Sequence, residues 1–370
     1  MIPLFRPCLD GALRSVETVF EDGWLGLGSV TAEFERAVAG VLETQRHVVA
    51  TNTGTSALHL ACVAAGVGPG DEVITPSFNY VADHQAIHMT GATAVMCDVR
   101  LDDFGIDAAK AEALITDRTK AVMPLHFAGM PCDQAGVYEL ARRYGLRVIE
   151  DCTHAFGTTV AGRKLGSYGD LAVYSFDPVK IVTTVDGGCI VTASEEEDRL
   201  LRRLRYVGID REGTKRSRDG RFWNYDVVSP GFRYHLSNVN ASIGLSQIAL
   251  LDAFIASRRE TCRAYSGAFS QRAGLAVPPT GFAGVSPFIY PLRVLDGRRD
   301  AMIAHLRELE IEAGIHFIPA HAFEYFSHNV RGDMTVTDRV AGEVLTLPLH
   351  SNMRPDFVAR VIEGVLSFLG

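Results

Sequence analysis

A hydroxyl and an amine share one short segment, Ser175-Phe176-Asp177-Pro178-Val179-Lys180. Lysine is the side chain that forms Schiff bases with carbonyl compounds, because its amine gives up a proton readily when partly buried or set beside other charge. Most lysines are solvated surface charges. This one is flanked by apolar Val179, Ile181 and Val182 and leads into Thr183-Thr184-Val185-Asp186-Gly187-Gly188, a pattern for a loop folded inward. Asp151 follows the apolar run Leu146-Arg147-Val148-Ile149-Glu150. A carboxylate at the end of a buried strand is costly unless a cation meets it, and a protonated pyridine nitrogen is one such cation. A helix cap or a structural ion pair explains Asp151 equally well on its own. In Thr53-Gly54-Thr55-Ser56, small residues directly precede the helical pattern Ala57-Leu58-His59-Leu60-Ala61. Backbone N–H groups and hydroxyls there can close on an anion at a helix N-terminus, although a plain N-cap has the same signature.

These groups need a scaffold. From Arg46 to Thr192, apolar runs of strand length (HVVAT, EVITP, TAVMC, KAVMPL, LRVIE, LAVYSF, CIVT) alternate with helical patterns such as Ser56–Gly66 and Asp133–Tyr144. Such alternation predicts βαβ units, hence an α/β fold with a mainly parallel central sheet flanked by helices. Asp151 then lies at the carboxyl edge of its strand, where open α/β sheets place ligands. A polar, Gly- and Arg-rich segment, Gly208–Arg221, precedes a long helical pattern from Asn238 through Arg272. After the Val277–Pro279 linker come a strand (FIYPLRV), a helix around Asp300–Glu308, a strand (EAGIHF) and a final helix from Pro355. The expected division is a large domain over residues 1–250 and a small C-terminal α/β domain over 251–370.

Composition narrows the function. A chain of 370 residues that is 47% hydrophobic buries a large core, and its net charge of −8 disfavours the phosphate backbone of nucleic acid as a partner. The basic run Arg199–Arg205 reads as one solvated helix face. No apolar stretch reaches the roughly 20 residues that span a bilayer, and the N-terminus lacks the apolar core of a signal peptide, so a cytoplasmic protein is expected. The 7 cysteines are scattered and without a CxxC pair, which predicts reduced, mostly buried thiols.

Together the segments resemble the DegT/DnrJ/StrS family of sugar aminotransferases, which share the pyridoxal-phosphate fold type I of the aspartate aminotransferases. The resemblance begins at Gly23-Trp24-Leu25 and Phe34-Glu35. It continues through TNTGTSALHLA, GVGPGDEVITPSFNYVA, TKAVMPLHFAGMPCD, IEDCTHAFG, YSFDPVK and DGG to GFRYHLSNVNASIGLSQ. It implies pyridoxal 5′-phosphate as cofactor, held through Lys180, with Asp151 on the pyridine nitrogen and His154 near the ring oxygen. It also implies that Tyr80 stacks on the ring, that Gly54, Thr55 and Ser175 hold the phosphate, and that the enzyme is a homodimer with shared active sites. Glutamate as amino donor and a nucleotide-linked keto-sugar, or less often a cyclitol, as acceptor follow from the same resemblance.

Two positions depart from the family pattern. Asp177 replaces the usual His or Asn, and Gly231-Phe232-Arg233-Tyr234-His235 stands where the family reads G-x-N-x-R. The family asparagine reaches the phosphate of the neighbouring subunit, and a guanidinium at Arg233 suits the same task. The presence of Lys180 favours transamination over the family's sugar dehydratases, which carry histidine there. A nicotinamide oxidoreductase shares the strand–helix alternation, but Gly66-x-Gly68-x-Gly70 precedes a strand rather than a helix. A catalytically idle regulator is disfavoured by Lys180, Asp151 and Ser175 together. His84 and His88 have the i, i+4 spacing of metal ligands without an HExxH, so they are read as packing residues and no metal is expected. His316, His321 and His328 are candidates for the substrate cleft or for packing.

Overall fold

The computed structural model describes residues 1–210, 225–279, 281–329 and 332–370, so residues 211–221 of the Gly- and Arg-rich segment lie outside the described residues. The apolar runs form one seven-stranded sheet: β1 (His47–Thr51), β2 (Glu72–Pro76), β3 (Thr93–Cys97), β4 (Thr119–Val122), β5 (Arg147–Asp151), β6 (Leu171–Ser175) and β7 (Gly188–Thr192). The spatial order is β1-β7-β6-β5-β4-β2-β3. β7 runs antiparallel to both neighbours, and the remaining pairs are parallel. Alternate residues serve opposite faces, as a period of two requires. Leu171 and Val173 join the core under the helix Gly54–Ala64, while Ala172 and Tyr174 join the core of Phe34, Phe156 and Phe176.

The second unit is a three-stranded antiparallel sheet, β8 (Leu275–Ala276), β9 (Tyr290–Val294) and β10 (Val344–Leu347), packed with the helices Arg299–Glu308 and Pro355–Leu369. Ile2 exchanges backbone hydrogen bonds with Glu310 and Glu312 at this unit. One apolar cluster also runs through it and into the large unit, since Phe78, Phe104 and Phe127 pack in the same core as Tyr265, Phe288 and Tyr290.

Three expectations need correction. The helical pattern from Asn238 is two helices, Asn238–Ile248 and Leu251–Phe269, bent by 60° at their junction. The bend lets the first pack on the helices Ala12–Asp22 and Ser29–Val41 while the second reaches the C-terminal helix. The run Glu312–Phe317 is not a strand: Gly314 makes a single bridge to Thr346, and the chain then turns to send His316 and Phe317 into the cleft described below. The basic run Arg199–Arg205 is not wholly a solvated face. Arg205 is 5% exposed, and its guanidinium meets Glu35 Oε1 at 2.5 Å and the carbonyl of Ala50 at 2.6 Å, while Arg202 meets Glu35 Oε2 at 2.9 Å. Edge strand β1 is thereby tied to the helices on its flank. The cysteines are all free, and all but Cys8 are buried.

Candidate active site

The carboxyl ends of β1, β2, β5 and β6, with the start of β7, meet at one edge of the large sheet around a cleft of about 450 Å³. After β1 the chain turns at Thr53 and enters the helix Gly54–Ala64. Thr53 Oγ1 accepts from Ser56 N–H at 2.9 Å and Ser56 Oγ accepts from Thr53 N–H at 3.1 Å, a reciprocal cap. Gly54 and Thr55 sit at the first helical positions, where N–H groups have no intrahelical acceptor, so they face the cleft as free donors. A Cβ on Gly54 would lie 2.8 Å from Ser175 Cβ, and one on Gly188 would lie 2.5 Å from the carbonyl oxygen of Thr53. Only a bare backbone lets this turn settle against the Ser175 hydroxyl. The result is an anion cradle of amides and hydroxyls.

Lys180 hangs from the loop after β6, where its own N–H bonds to the Asp177 carbonyl at 3.0 Å. Its Nζ stands 4.2 Å from the centre of the Phe288 ring. Burial lowers its pKa to about 8, against the opposing pull of Asp151, Asp177 and Asp83. An amine in this state is available as a nucleophile near neutral pH. Asp151 is 3% exposed, and its Oδ1 accepts from Thr153 N–H at 2.8 Å. Asn79 Nδ2 stands 3.5 Å from Asp151 Oδ2 and 2.6 Å from Asp83 Oδ2.

His154 is 3% exposed, its Nδ1 has no partner among the described residues, and its ring lies 4.4 Å from that of Phe288 and 5.7 Å from that of Phe317. Burial, then Lys180 and His316, hold it well below the usual histidine range, so it is neutral. Tyr80, 58% exposed, lies across the mouth with its ring 5.8 Å from Phe317.

The cleft thus brings together Gly54, Thr55, Tyr80, Asp151, His154, Ser175 and Lys180. Arg233 does not line it; the side chain is exposed, lies over the Tyr206 ring at 5.4 Å, and belongs to a segment that runs beside β1 through the Thr51–His235 bridge. Of the small-unit histidines, His316 enters the cleft, His321 bonds to Ser77 and Asp338 outside it, and His328 is exposed. His84 packs on Phe326, and His88 bonds to Asn329 at 2.7 Å.

Sequence reasoning missed Asp83, Asn79 and Phe288. Asp83 in the first turn of the helix Ala82–Met89 reads as a charge favouring the helix dipole, and Phe288 reads as a strand core residue. It also missed a buried network on the opposite face of β5, where Glu150 accepts from Gln134 and Tyr138 and meets His126 Nε2 at 2.9 Å. A larger hollow of about 750 Å³ beside the helix Glu195–Leu204 is lined by arginines, of which Arg202 and Arg205 are already paired to Glu35, and it carries no comparable chemistry.

An anion cradle, an activated amine, a buried carboxylate and a neutral imidazole with a free nitrogen around one slot fit a flat, phosphorylated heteroaromatic aldehyde. Comparisons with known proteins agree. The sequence model of the DegT/DnrJ/EryC1/StrS aminotransferase family matches residues 10–366. GDP-perosamine synthase of Caulobacter vibrioides is 38% identical over 371 residues, covering 98% of this chain and 97% of that protein. The crystal structure of the aminotransferase TlmJ from Streptoalloteichus hindustanus superposes with a TM-score of 0.91 at 35% identity, covering 99% of this chain and 98% of that one. The PLP form of a sugar aminotransferase from Streptococcus pneumoniae gives a TM-score of 0.92 at 26% identity, with 99% and 98% coverage.

Proposed function

Since this chain belongs to the DegT/DnrJ/EryC1/StrS aminotransferase family and is a pyridoxal-phosphate enzyme of fold type I, we propose that it moves an amino group from L-glutamate to the keto group of a nucleotide-linked sugar. The observation that carries the reading is the position of Lys180. Its nitrogen, with a pKa lowered to about 8, shares one cleft with the Gly54–Ser175 cradle and the Asp151 carboxylate.

Bound pyridoxal phosphate supplies an electron sink for the carbon that loses or gains the amino group. On this reading Gly54 and Thr55 amides and the Ser175 hydroxyl hold the phosphate. Asp151 would meet the pyridine nitrogen and favour its protonated form by charge. Tyr80 would cover the ring, and His154, neutral and packed on Phe288, would offer a nitrogen to the ring oxygen. Lys180 would hold the cofactor, and its Nζ, once free, would take and return the proton at the substrate carbon. Phe288 and Phe317 exclude water from that transfer. On the same reading Arg233 would serve the cofactor phosphate of a second subunit and the working unit would be a homodimer; no partner of nucleic acid or membrane type enters the scheme. The identity of the curated relative supports a nucleotide-linked acceptor, and Asp177 beside Lys180 is the cleft's own departure from the family pattern.

Two measurements test the reading. Borohydride reduction followed by peptide mapping places the pyridoxyl label on Lys180; a label on Lys120 or Lys164 overturns the assignment. Incubation with glutamate and a panel of nucleotide-linked 3-keto and 4-keto sugars yields an amino sugar. Transfer to a free keto-cyclitol and to no nucleotide-linked sugar rejects the acceptor class.

A further inference from the structure

Two acids are buried side by side at the floor of the cleft. Asp83 is 1% exposed and Asp151 3%, and both carboxyl groups line the cleft. A single amide, Asn79 Nδ2, addresses both, at 2.6 Å from Asp83 Oδ2 and 3.5 Å from Asp151 Oδ2. Asn79 is itself fixed, because its Oδ1 accepts from the N–H of Tyr80 at 2.6 Å. Asp151 has a further donor in Thr153 N–H. Asp83 therefore has the poorer supply of donors of the two, and a hydrogen bond between carboxyl oxygens needs a proton on one of them.

We propose that Asp83 is a positioning residue for the amino transfer: it carries the proton of the pair and donates it to Asp151, fixing the Asp151 carboxylate as the anion that faces the cofactor nitrogen. The charged and titratable groups facing Asp83 are consistent with this division. Asp151 from β5 repels a second charge, Lys180 from the loop after β6 is the cation within reach, and Cys62 from the helix Gly54–Ala64 is a thiol that burial keeps protonated. Burial first, then Asp151, raises the Asp83 carboxyl well above the usual carboxylate range. Two like charges this close do not both ionise in a dry site, so one acid becomes the donor for the other. In a low-dielectric floor such a bond orients Asp151 and spreads its charge.

The inference rests on Asp151 meeting the cofactor nitrogen, and its test is separable from that reading. The full-length holoenzyme is compared with Asp83→Asn and Asp83→Leu, which keep the side-chain volume but respectively retain and remove a donor, and with Asp83→Ala. Three quantities are read: the absorbance of bound pyridoxal phosphate from pH 5 to 9, the cofactor dissociation constant, and kcat against KM for glutamate. For Asp83→Leu and Asp83→Ala, kcat is expected to fall roughly tenfold or more with KM for glutamate little changed, since a hydrogen bond to a charged group is lost. The pH midpoint of the absorbance change moves in the same two variants, and Asp83→Asn recovers most of both effects. If Asp83→Ala does not fold, the size-matched Asn and Leu pair decides alone. Wild-type midpoint and kcat in Asp83→Leu, or Asp83→Asn no better than Asp83→Leu, overturns the positioning role. A wild-type protein without a cofactor absorbance band overturns instead the reading of the whole site.

Discussion

The Lys180 ammonium nitrogen lies 4.2 Å from the centre of the Phe288 ring, a contact between the loop that follows β6 and the segment that enters β9. A cation above an aromatic face is held by the ring's quadrupole, but the same ring strips water from the amine and favours its neutral form. Here desolvation wins, because Lys180 sits below its ordinary pKa despite three nearby carboxylates.

The first prediction concerns stability against pH. In the cofactor-free protein Lys180 titrates near 8, below its unfolded value of about 10.4, so the folded state binds fewer protons between those two pH values. Stability arising from this group therefore rises with pH through that window. Lys180→Met should be more stable than wild type at pH 7 by on the order of 1–3 kcal/mol, a gap that closes as pH rises from about 8 to about 10.4. Urea denaturation across pH 6–10 checks it; parallel curves refute it.

Replacing Asp151 by Asn keeps the shape and removes the charge. Turnover should fall by roughly a hundredfold or more, with cofactor affinity hurt less, because the charge acts mainly on the developing carbanion. Steady-state kinetics and equilibrium dialysis of the cofactor measure the two effects. Turnover within about threefold of wild type is incompatible with the assigned role.

Gly54→Ala should spoil the anion cradle without unfolding the protein. The new methyl group would stand 2.8 Å from Ser175 Cβ and 2.9 Å from its hydroxyl, so the turn must open. Pyridoxal phosphate affinity is expected to drop at least about tenfold, whereas affinity for pyridoxal, which has no phosphate, changes little. Equal losses for both compounds would locate the damage elsewhere.

Arg233 is tested by subunit exchange. Lys180→Ala and Arg233→Glu chains, each nearly inactive alone, should regain roughly a quarter of full activity after random pairing, since each heterodimer then contains one intact site. Demonstrated exchange with no recovery shows that Arg233 serves its own chain.

Much of the site was legible in the sequence because its residues sit at strand ends. Strands of period-two or wholly apolar texture ending in Asp151 and Ser175 place those groups at one sheet edge whatever the details of packing. Lys180 was legible through its apolar neighbours. Asp83, Phe288 and Phe317 were not, because their roles depend on which distant segment packs over which, and no local period records that. The same holds for Arg205: its heptapeptide looks like a charged helix face, and only the approach of Glu35 from the helix Ser29–Val41 makes the inner arginines structural. The expected strand Glu312–Phe317 failed for a related reason. Its alternation is real, but past Gly314 the chain leaves the edge of β10.

Within one chain, the cleft groups proposed to grip the cofactor gather at the edge of the large sheet, whereas Phe288, His316 and Phe317 close over them from the other unit. The floor and the roof of the cleft therefore come from different pieces of chain. Libraries confined to His316 and Phe317 would reshape the roof of the cleft and leave Lys180, Asp151 and Ser175 unaltered in sequence.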